Sequence, residues 1–263
     1  MNIVVCLKQV PENPSKGLDR DTGYARRDAE VKAVVNMADR QALELALGLK
    51  AAAHGQLIAL CMGPQGADQA LRQALAVGFD EAYLVSDPAL AGSDTGVTAT
   101  VLAAAIRKLP DVGLVLGGEA TSDGGTSQVA PRLAEALGWP VLTALIEAKI
   151  DGGELQGTRN GEGRREQVAC ATPAVGSVSL DGPKPRIPNA MGVMKAAKKP
   201  LTTWTLAELD LAPEAAGQAG SCTWIARSFK PEKREQGETL TGSGADMAKA
   251  LVERLARKNL IEV

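Results

Sequence analysis

Along the first two-thirds of the chain, short apolar runs alternate with longer segments of helical spacing, and few architectures accommodate that pattern. The runs are Ile3–Val10, Gln56–Met62, Ala82–Val85 and Val112–Leu116. Each is β-rich or continuously apolar, as in strands covered on both faces. Between them the spacing predicts helices over Ala38–Ala53, Ala67–Ala76, Thr95–Lys108 and Thr126–Leu137. Asn36, with Asp39 three residues on, suits the start of the first helix, and Gly55 suits its end. The βαβα order implies an α/β fold: a doubly wound, mainly parallel sheet with helices on both faces. Right-handed crossovers then set every helix N-terminus at the carboxyl edge of the sheet.

The pattern changes at Trp139-Pro140. Val141–Ile150, Glu154–Arg159, Arg165–Ala171 and Ala174–Leu180 read as shorter strands, broken by hairpin signals at Gly152-Gly153 and Asn160–Gly163. They are expected to form an antiparallel extension of the same sheet. Beyond Asp181 the chain is rich in Pro and Gly until an amphipathic helix over Ala245–Lys258. The stretch between is unable to build its own core, yet Ile187, Met191, Val193, Trp204, Trp224 and Phe229 are too apolar for a free tail. The expected organisation is an α/β domain over 1–183, followed over 184–263 by an extended C-terminal arm and helix that embrace a partner.

Composition narrows the function. The formal net charge of −2 gives no footprint for nucleic acid, and no apolar run approaches the length of a bilayer span. Met1–Leu7 runs straight into a strand without a basic leader, so the chain is expected to be cytoplasmic and not inserted in a membrane. Cys6, Cys61, Cys170 and Cys222 are scattered, and His54 is the only histidine. That inventory supports neither a zinc site nor a Ser-His-Asp triad. No catalytic side chain is assigned, and activity is expected to rest on a bound cofactor.

The richest candidate site is Leu114–Pro131. A buried run ends at Gly117-Gly118, a polar loop follows through Glu119, Ala120, Thr121, Ser122, Asp123, Gly124 and Gly125, and a helix begins near Thr126. Glycines let the backbone approach a phosphate, and free N–H groups at a helix start attract anions. Ser122, Thr126, Ser127 and Gln128 add neutral donors. The same residues also suit an ordinary strand-to-helix turn. The loop matches neither Gly-x-x-x-x-Gly-Lys-Ser/Thr nor Gly-x-Gly-x-x-Gly. Ser93 or Asp94 is placed to cap the third helix, leaving Thr95 and Thr98 to a ligand or to helix packing. Lys8, at the end of the first strand, faces a phosphate or solvent, and Asn36–Asp39 open the first helix. All four segments end at one edge of a wound sheet, where a crevice is expected. Gly242-Ser243-Gly244 reads as a helix cap, and Lys195–Lys199 as a short basic run on a solvated face or beside a binding surface.

Taken in order, several stretches resemble electron transfer flavoprotein beta subunits. They are Val5–Pro11, Cys61–Pro64, Leu71–Ala82, Asp123–Pro131, and Pro185-Arg186 with Met194–Lys199. The resemblance spans nearly the whole chain. It implies an adenine-nucleotide-alpha-hydrolase-like fold and pairing with a larger alpha subunit that carries the electron-transferring FAD. It also implies a second nucleotide here, AMP in one branch and FAD in the branch that resembles nitrogen-fixation and electron-bifurcating proteins. Asp123–Pro131, Ser93-Asp94-Thr95 with Thr98, and the closing Ser228-Phe229-Lys230-Pro231 resemble the second branch.

By that likeness Cys6, Lys8, Asn36, Asp39, Met62, Gly118, Glu119, Ala120, Asp123, Gly124, Gly125, Thr126, Ser127, Gln128 and Val129 line the nucleotide pocket, and Thr95 and Thr98 reach the flavin side. The segment Pro185–Lys199, with Met191 as apolar anchor and Lys195 and Lys198 beside it, is implied to dock a dehydrogenase; the alternative is packing on the chain's own sheet. Electrons would pass onward to a quinone reductase or a low-potential acceptor. The chain departs from its branch at Glu119–Ser122, where Arg-Gln-Ala-Ile is usual, at Met37 in place of Pro, and at Gly125 in place of Asp. The competing readings are a non-redox adenine-nucleotide regulator and a stand-alone ligase or hydrolase.

Overall fold

The computed structural model describes residues 1–13, 19, 26, 31–227, 229 and 237–262, so that Ser228, Lys230 and Pro231 of the closing pattern lie outside the described residues. In chain order the elements are β1 (Asn2–Leu7), β2 (Gln9–Pro11), β3 (Ala33–Val35), α1 (Met37–Ala53), β4 (Leu57–Met62), α2 (Asp68–Val77), β5 (Glu81–Val85), α3 (Thr95–Lys108), β6 (Val112–Gly118) and α4 (Val129–Leu137). They continue with β7 (Val141–Asp151), β8 (Glu154–Gly161), β9 (Arg164–Ala171), β10 (Ala174–Val178), α5 (Ala190–Ala196), β11 (Leu201–Trp204), α6 (Gly217–Gly220) and α7 (Gly244–Arg257). The chain forms two compact units, Met1–Ser228 and Phe229–Val263. The boundary expected at 183/184 lies inside the first of them, because α5 packs on α2 and β11 joins the sheet.

The first unit is built on one nine-stranded sheet in the order β11-β5-β4-β1-β6-β10-β7-β8-β9. From β11 to β7 every neighbouring pair is parallel, and β8 and β9 add antiparallel strands at the end. β1 shows why the sheet is covered on both faces. Ile3, Val5 and Leu7 pack into one apolar layer with Leu43, Leu71 and Phe79, while Val4 faces the opposite layer with Leu102, Ile106 and Leu133. Burying each such side chain contributes about 1.5–3 kcal/mol. The sheet therefore sits between α1 and α2 on one face and α3 and α4 on the other.

Four expectations need correction. β10 is not part of the antiparallel extension: it lies parallel between β6 and β7, and all five of its residues are buried. Small residues allow this insertion, since a Cβ on Gly176 would stand 2.7 Å from a methyl of Leu116. α4 begins at Val129 and not at Thr126, because Gly125 (φ 59°) and Ser127 (φ 54°) occupy the left-handed region and no helix passes through them. α1 ends with His54 in the left-handed conformation (φ 51°), whereas Gly55 is small because Met1 O would lie 2.0 Å from its Cβ. β11, which carries no strong strand signal, pairs along β5. Ser243 caps α7 as expected, accepting from the Asp246 N–H at 3.3 Å. No helix among the described residues is long and apolar enough to cross a membrane.

Candidate functional site

The chain crosses from β1 to β4 on one side of the sheet and later to β6 on the other. In a wound sheet such a reversal opens a crevice beyond the carboxyl ends of the two strands. Lys8 follows β1, Gly118 ends β6, and residues 119–128 span from β6 to α4.

Asp39 lies at the centre of this edge, in the first turn of α1 and 3% exposed. Its Oδ2 accepts from the Lys8 N–H at 2.7 Å, and its Oδ1 accepts from the Gly118 N–H and from Asn36 Nδ2, both at 3.0 Å. Asn36 does not cap its own helix as its position suggests. Instead its amide reaches across, donating to Ala120 O at 2.9 Å and accepting from the Ser122 N–H at 3.3 Å. Burial raises the Asp39 carboxyl from 3.8 to about 6, against the lowering effect of those hydrogen bonds and of the Lys8 charge. Cys6, in the same strand end, is a poor nucleophile: burial, and after it the Asp39 charge, push its thiol well above its usual range.

Lys8 does not face open solvent alone. Its Nζ pairs with Asp123 Oδ1 at 2.8 Å, with the aspartate side chain 6% exposed. That ion pair ties the end of β1 to the middle of the loop. Several loop amides are used internally as well: Glu119 donates to Val178 O, Gly124 to Thr121 Oγ1 and Gly125 to Thr121 O. Gly124 has room for a side chain, since the nearest atom to a Cβ at that position would be Thr121 Oγ1 at 3.4 Å. Gly118 has none, with Asp39 Oδ1 at 2.3 Å and Ala38 Cβ at 2.8 Å.

The next stretch is different. α4 starts without a side-chain cap, and among the described residues the backbone N–H groups from Thr126 to Ala130 donate to no acceptor. An uncapped helix start of this kind carries partial positive charge and open donors. Gln128 Oε1 accepts from Thr95 Oγ1 at 2.8 Å, joining the starts of α3 and α4. Arg132, which the sequence alone does not single out, follows in the first turn of α4. Its Nη1 would stand 3.1 Å from a Cβ on Gly96, so the guanidinium lies at the start of α3. Its one sequence signal is the i,i+4 spacing from Gln128, visible once the helix start is known.

Asp94 caps α3 by accepting from the Gly96 and Val97 N–H groups, both at 2.9 Å, and also holds the Thr223 hydroxyl at 2.9 Å. Burial alone would raise its carboxyl, but the hydrogen bonds from Val97, Thr223 and Gly96 together hold it below the usual carboxylate range. Thr98 turns its hydroxyl back to Asp94 O at 2.7 Å. Met62 is half-buried at the end of β4. Met191 and Lys195 stand elsewhere, exposed on α5, which packs against α2, and Lys198 is exposed in the turn that follows. A cavity of about 330 Å³ is lined by Val35, Met37, Gln41, Leu47, Val77 and Ile187, and by none of residues 118–129.

The edge is thus a rigid polar frame (Asp39, Asn36, Lys8, Asp123) beside an open, cationic helix start, and it fits an anionic group such as a nucleotide phosphate. Comparison with known proteins gives the family of the chain. Residues 27–209 match the electron transfer flavoprotein domain model. The chain is 38% identical over 263 residues to the caffeyl-CoA reductase–Etf complex subunit CarD of Acetobacterium woodii, covering 99% of this chain and 100% of that protein. It is 35% identical over 262 residues to the electron transfer flavoprotein subunit beta of Thermoanaerobacterium thermosaccharolyticum, covering 99% and 100%. It is also 35% identical over 256 residues to the corresponding subunit of Bacillus subtilis, covering 97% of each. With the wound sheet, the loop at its switch point and likeness over the full length of these relatives, the chain belongs to the electron transfer flavoprotein family, among its beta subunits.

Proposed function

We propose that this chain holds a nucleotide as the small subunit of a two-subunit electron carrier, which takes electrons from a dehydrogenase and passes them to a quinone reductase or a low-potential acceptor. The nucleotide is FAD, with AMP as the alternative in the same pocket, and an alpha subunit completes the carrier. One observation carries this reading: the uncapped start of α4, with Arg132 in its first turn, opens at the switch point of the sheet. The N–H groups of 126–130 would hold the phosphates, Gln128 and Thr95 would orient the adjoining part of the cofactor, and the Lys8–Asp123 pair keeps the loop in place. When bound, the flavin supplies the electron chemistry. The names of the relatives, all electron-transfer subunits or members of reductase complexes, do not favour a non-redox regulator.

The dehydrogenase is assigned to the exposed face around α5. Ile187 (90% exposed), Met191, Val193 and Met194 form an apolar surface there, flanked by Lys195 and Lys198. Flexible methionines in a small patch suit a weak, rapid encounter.

The test is to co-purify the chain with its large subunit, release the bound ligand and weigh it. Flavin absorbance that bleaches with dithionite, together with FAD released from this chain, supports the reading; AMP supports the alternative. A preparation without any adenine nucleotide on this chain overturns it. Met191→Ala should slow electron delivery about fivefold or more, with cofactor stoichiometry unchanged.

A further inference from the structure

The cavity of about 330 Å³ is bounded by α1, the end of α2 and a strap of residues 184–188 that leads into α5. Met37, Arg40, Glu44 and Leu47 recur every three or four positions, so one stripe of α1 forms a wall. The strap is tied across that stripe by a fork. Glu44 accepts from Arg186 Nη2 at 2.7 Å, from its Nε at 2.9 Å and from its backbone N–H at 3.1 Å. Just before the strap, Gln41 Nε2 donates to Leu180 O at 3.1 Å. Ile187, 90% exposed, belongs both to the cavity and to the apolar surface around α5.

The lining says what fills it. Val35, Leu47, Val77 and Ile187 make apolar walls. Three cations stand there against one acid, in a chain of net charge −2, and that acid is already taken by Arg186. Arg40 and Lys184, both exposed, are left without an acidic partner among the described residues. Gln41 is 8% exposed, and its Oε1 receives no hydrogen bond among the described residues. A buried acceptor without a donor is unfavourable. A peptide brings N–H groups to meet it, whereas a fatty carboxylate brings acceptors only. The occupant is therefore acidic, carries an apolar side chain and is a polypeptide.

We propose that this cavity is the socket by which the chain holds its electron-donating dehydrogenase: an acidic segment of that partner seats an apolar side chain among Val35, Leu47, Val77 and Ile187, with its carboxylates on Arg40 and Lys184. The inference rests on the assignment of the dehydrogenase to the α5 face. That face needs an extension, because a specific interface takes about 20–30 residues a side and α5 has seven. Ile187 continues the apolar surface into the cavity, and Lys195 and Lys198 continue the positive charge on the α5 side. Rim charges of this kind steer the encounter and fix its orientation, while a side chain buried in a pocket holds the complex.

The probe is a fluorescently labelled, amidated peptide, Glu-Glu-Leu-Leu-Glu-Glu, titrated with the full-length chain at low salt and followed by anisotropy. Saturable binding is expected, weakening as salt is raised to about 0.15 M. A peptide with Ser for both Leu, and one with Lys for every Glu, should each bind about tenfold more weakly or worse. Arg40→Glu combined with Lys184→Glu should cost the acidic peptide about tenfold or more. Both side chains are exposed, so nucleotide content should stay unchanged. Equal binding by wild type and double variant, or none by either, overturns the inference. So does tighter binding of octanoate than of the peptide, which makes the cavity a small-molecule site. A wild-type dimer that the double variant disperses overturns it too, making the occupant a second copy. In the two-subunit carrier, the double variant should raise the KM of the dehydrogenase for the carrier about tenfold with kcat unchanged. An unmoved KM while Met191→Ala still slows delivery sinks the socket and leaves the α5 face standing; no effect of either sinks both.

Discussion

Asp39 exacts a cost for its place in the frame, and the cost has a sign. Its folded-state carboxyl is raised from 3.8 to about 6, so folding favours the protonated form. Its contribution to stability is complete below the unfolded value and is lost as pH rises through about 6. The difference corresponds to about 3 kcal/mol. Urea unfolding should therefore show wild-type stability falling relative to Asp39→Asn by up to about 3 kcal/mol between about pH 4 and about pH 7. A parallel pair of profiles would remove the buried charge as the cause. The two loop glycines separate in the same way. Gly118→Ala sets a methyl against Asp39 and Ala38 and should destabilise by about 1–3 kcal/mol with loss of nucleotide. Gly124→Ala meets only ordinary contact and should change stability by less than about 0.5 kcal/mol, both read by chemical denaturation. The residue types of this site are legible in sequence because Asn36, Asp39 and Gly118 end predicted elements. Their hydrogen bonds are not, because Asn36 bonds a loop more than eighty positions away and no local spacing encodes that choice.

Among the elements, α5 shows how a short helix is held against a longer one. Seven residues are too few to persist alone. Arg72 of α2 donates to Ala196 O at 2.8 Å and Lys199 O at 3.0 Å, covering the open end of α5, while Lys199 Nζ covers carbonyls at the end of α2, including Phe79 O. Gly192 lets the backbones meet, since a Cβ there would lie 2.4 Å from Ala76 O. Arg72→Ala should weaken the local structure by about 1.5–3 kcal/mol, seen as faster amide exchange over residues 190–199 while β1 and β6 stay protected. Equal loss of protection in the central strands would mean that α5 is part of the core. Helices α1, α2 and α3 are readable from spacing because each lays an apolar stripe on the sheet. α5 and β11 are not, because their partners lie more than a hundred residues away and their own sequences are short. β10 is recognisable as a strand, but its place is not. Its run of small, fully buried residues fits an interior position, while sequence adjacency to β9 suggests a hairpin.

The whole molecule divides at residue 228, and the two parts differ in what they bury. The nine-stranded sheet and both apolar layers belong to the first, whereas α7 in the second buries none of its residues and exposes Leu251 and Val252. A chain ending at 228 should keep a cooperative thermal transition within a few degrees of the full protein, to about 4 °C. A large drop would mean that the terminal unit supports the sheet. The same truncation should weaken co-purification with the large subunit if its missing residues 229–263 carry part of the grip expected of the arm over 184–263. The strand order also has a consequence for synthesis. β5 is completed at Val85, but the strand that covers its outer edge ends at Trp204, 119 residues later by subtraction. At about 5–20 residues per second, the ribosome leaves that edge bare for roughly 6 to 24 s. A nascent polypeptide with so long an interval before its flank is sealed is a natural client for chaperones that shield unpaired edges.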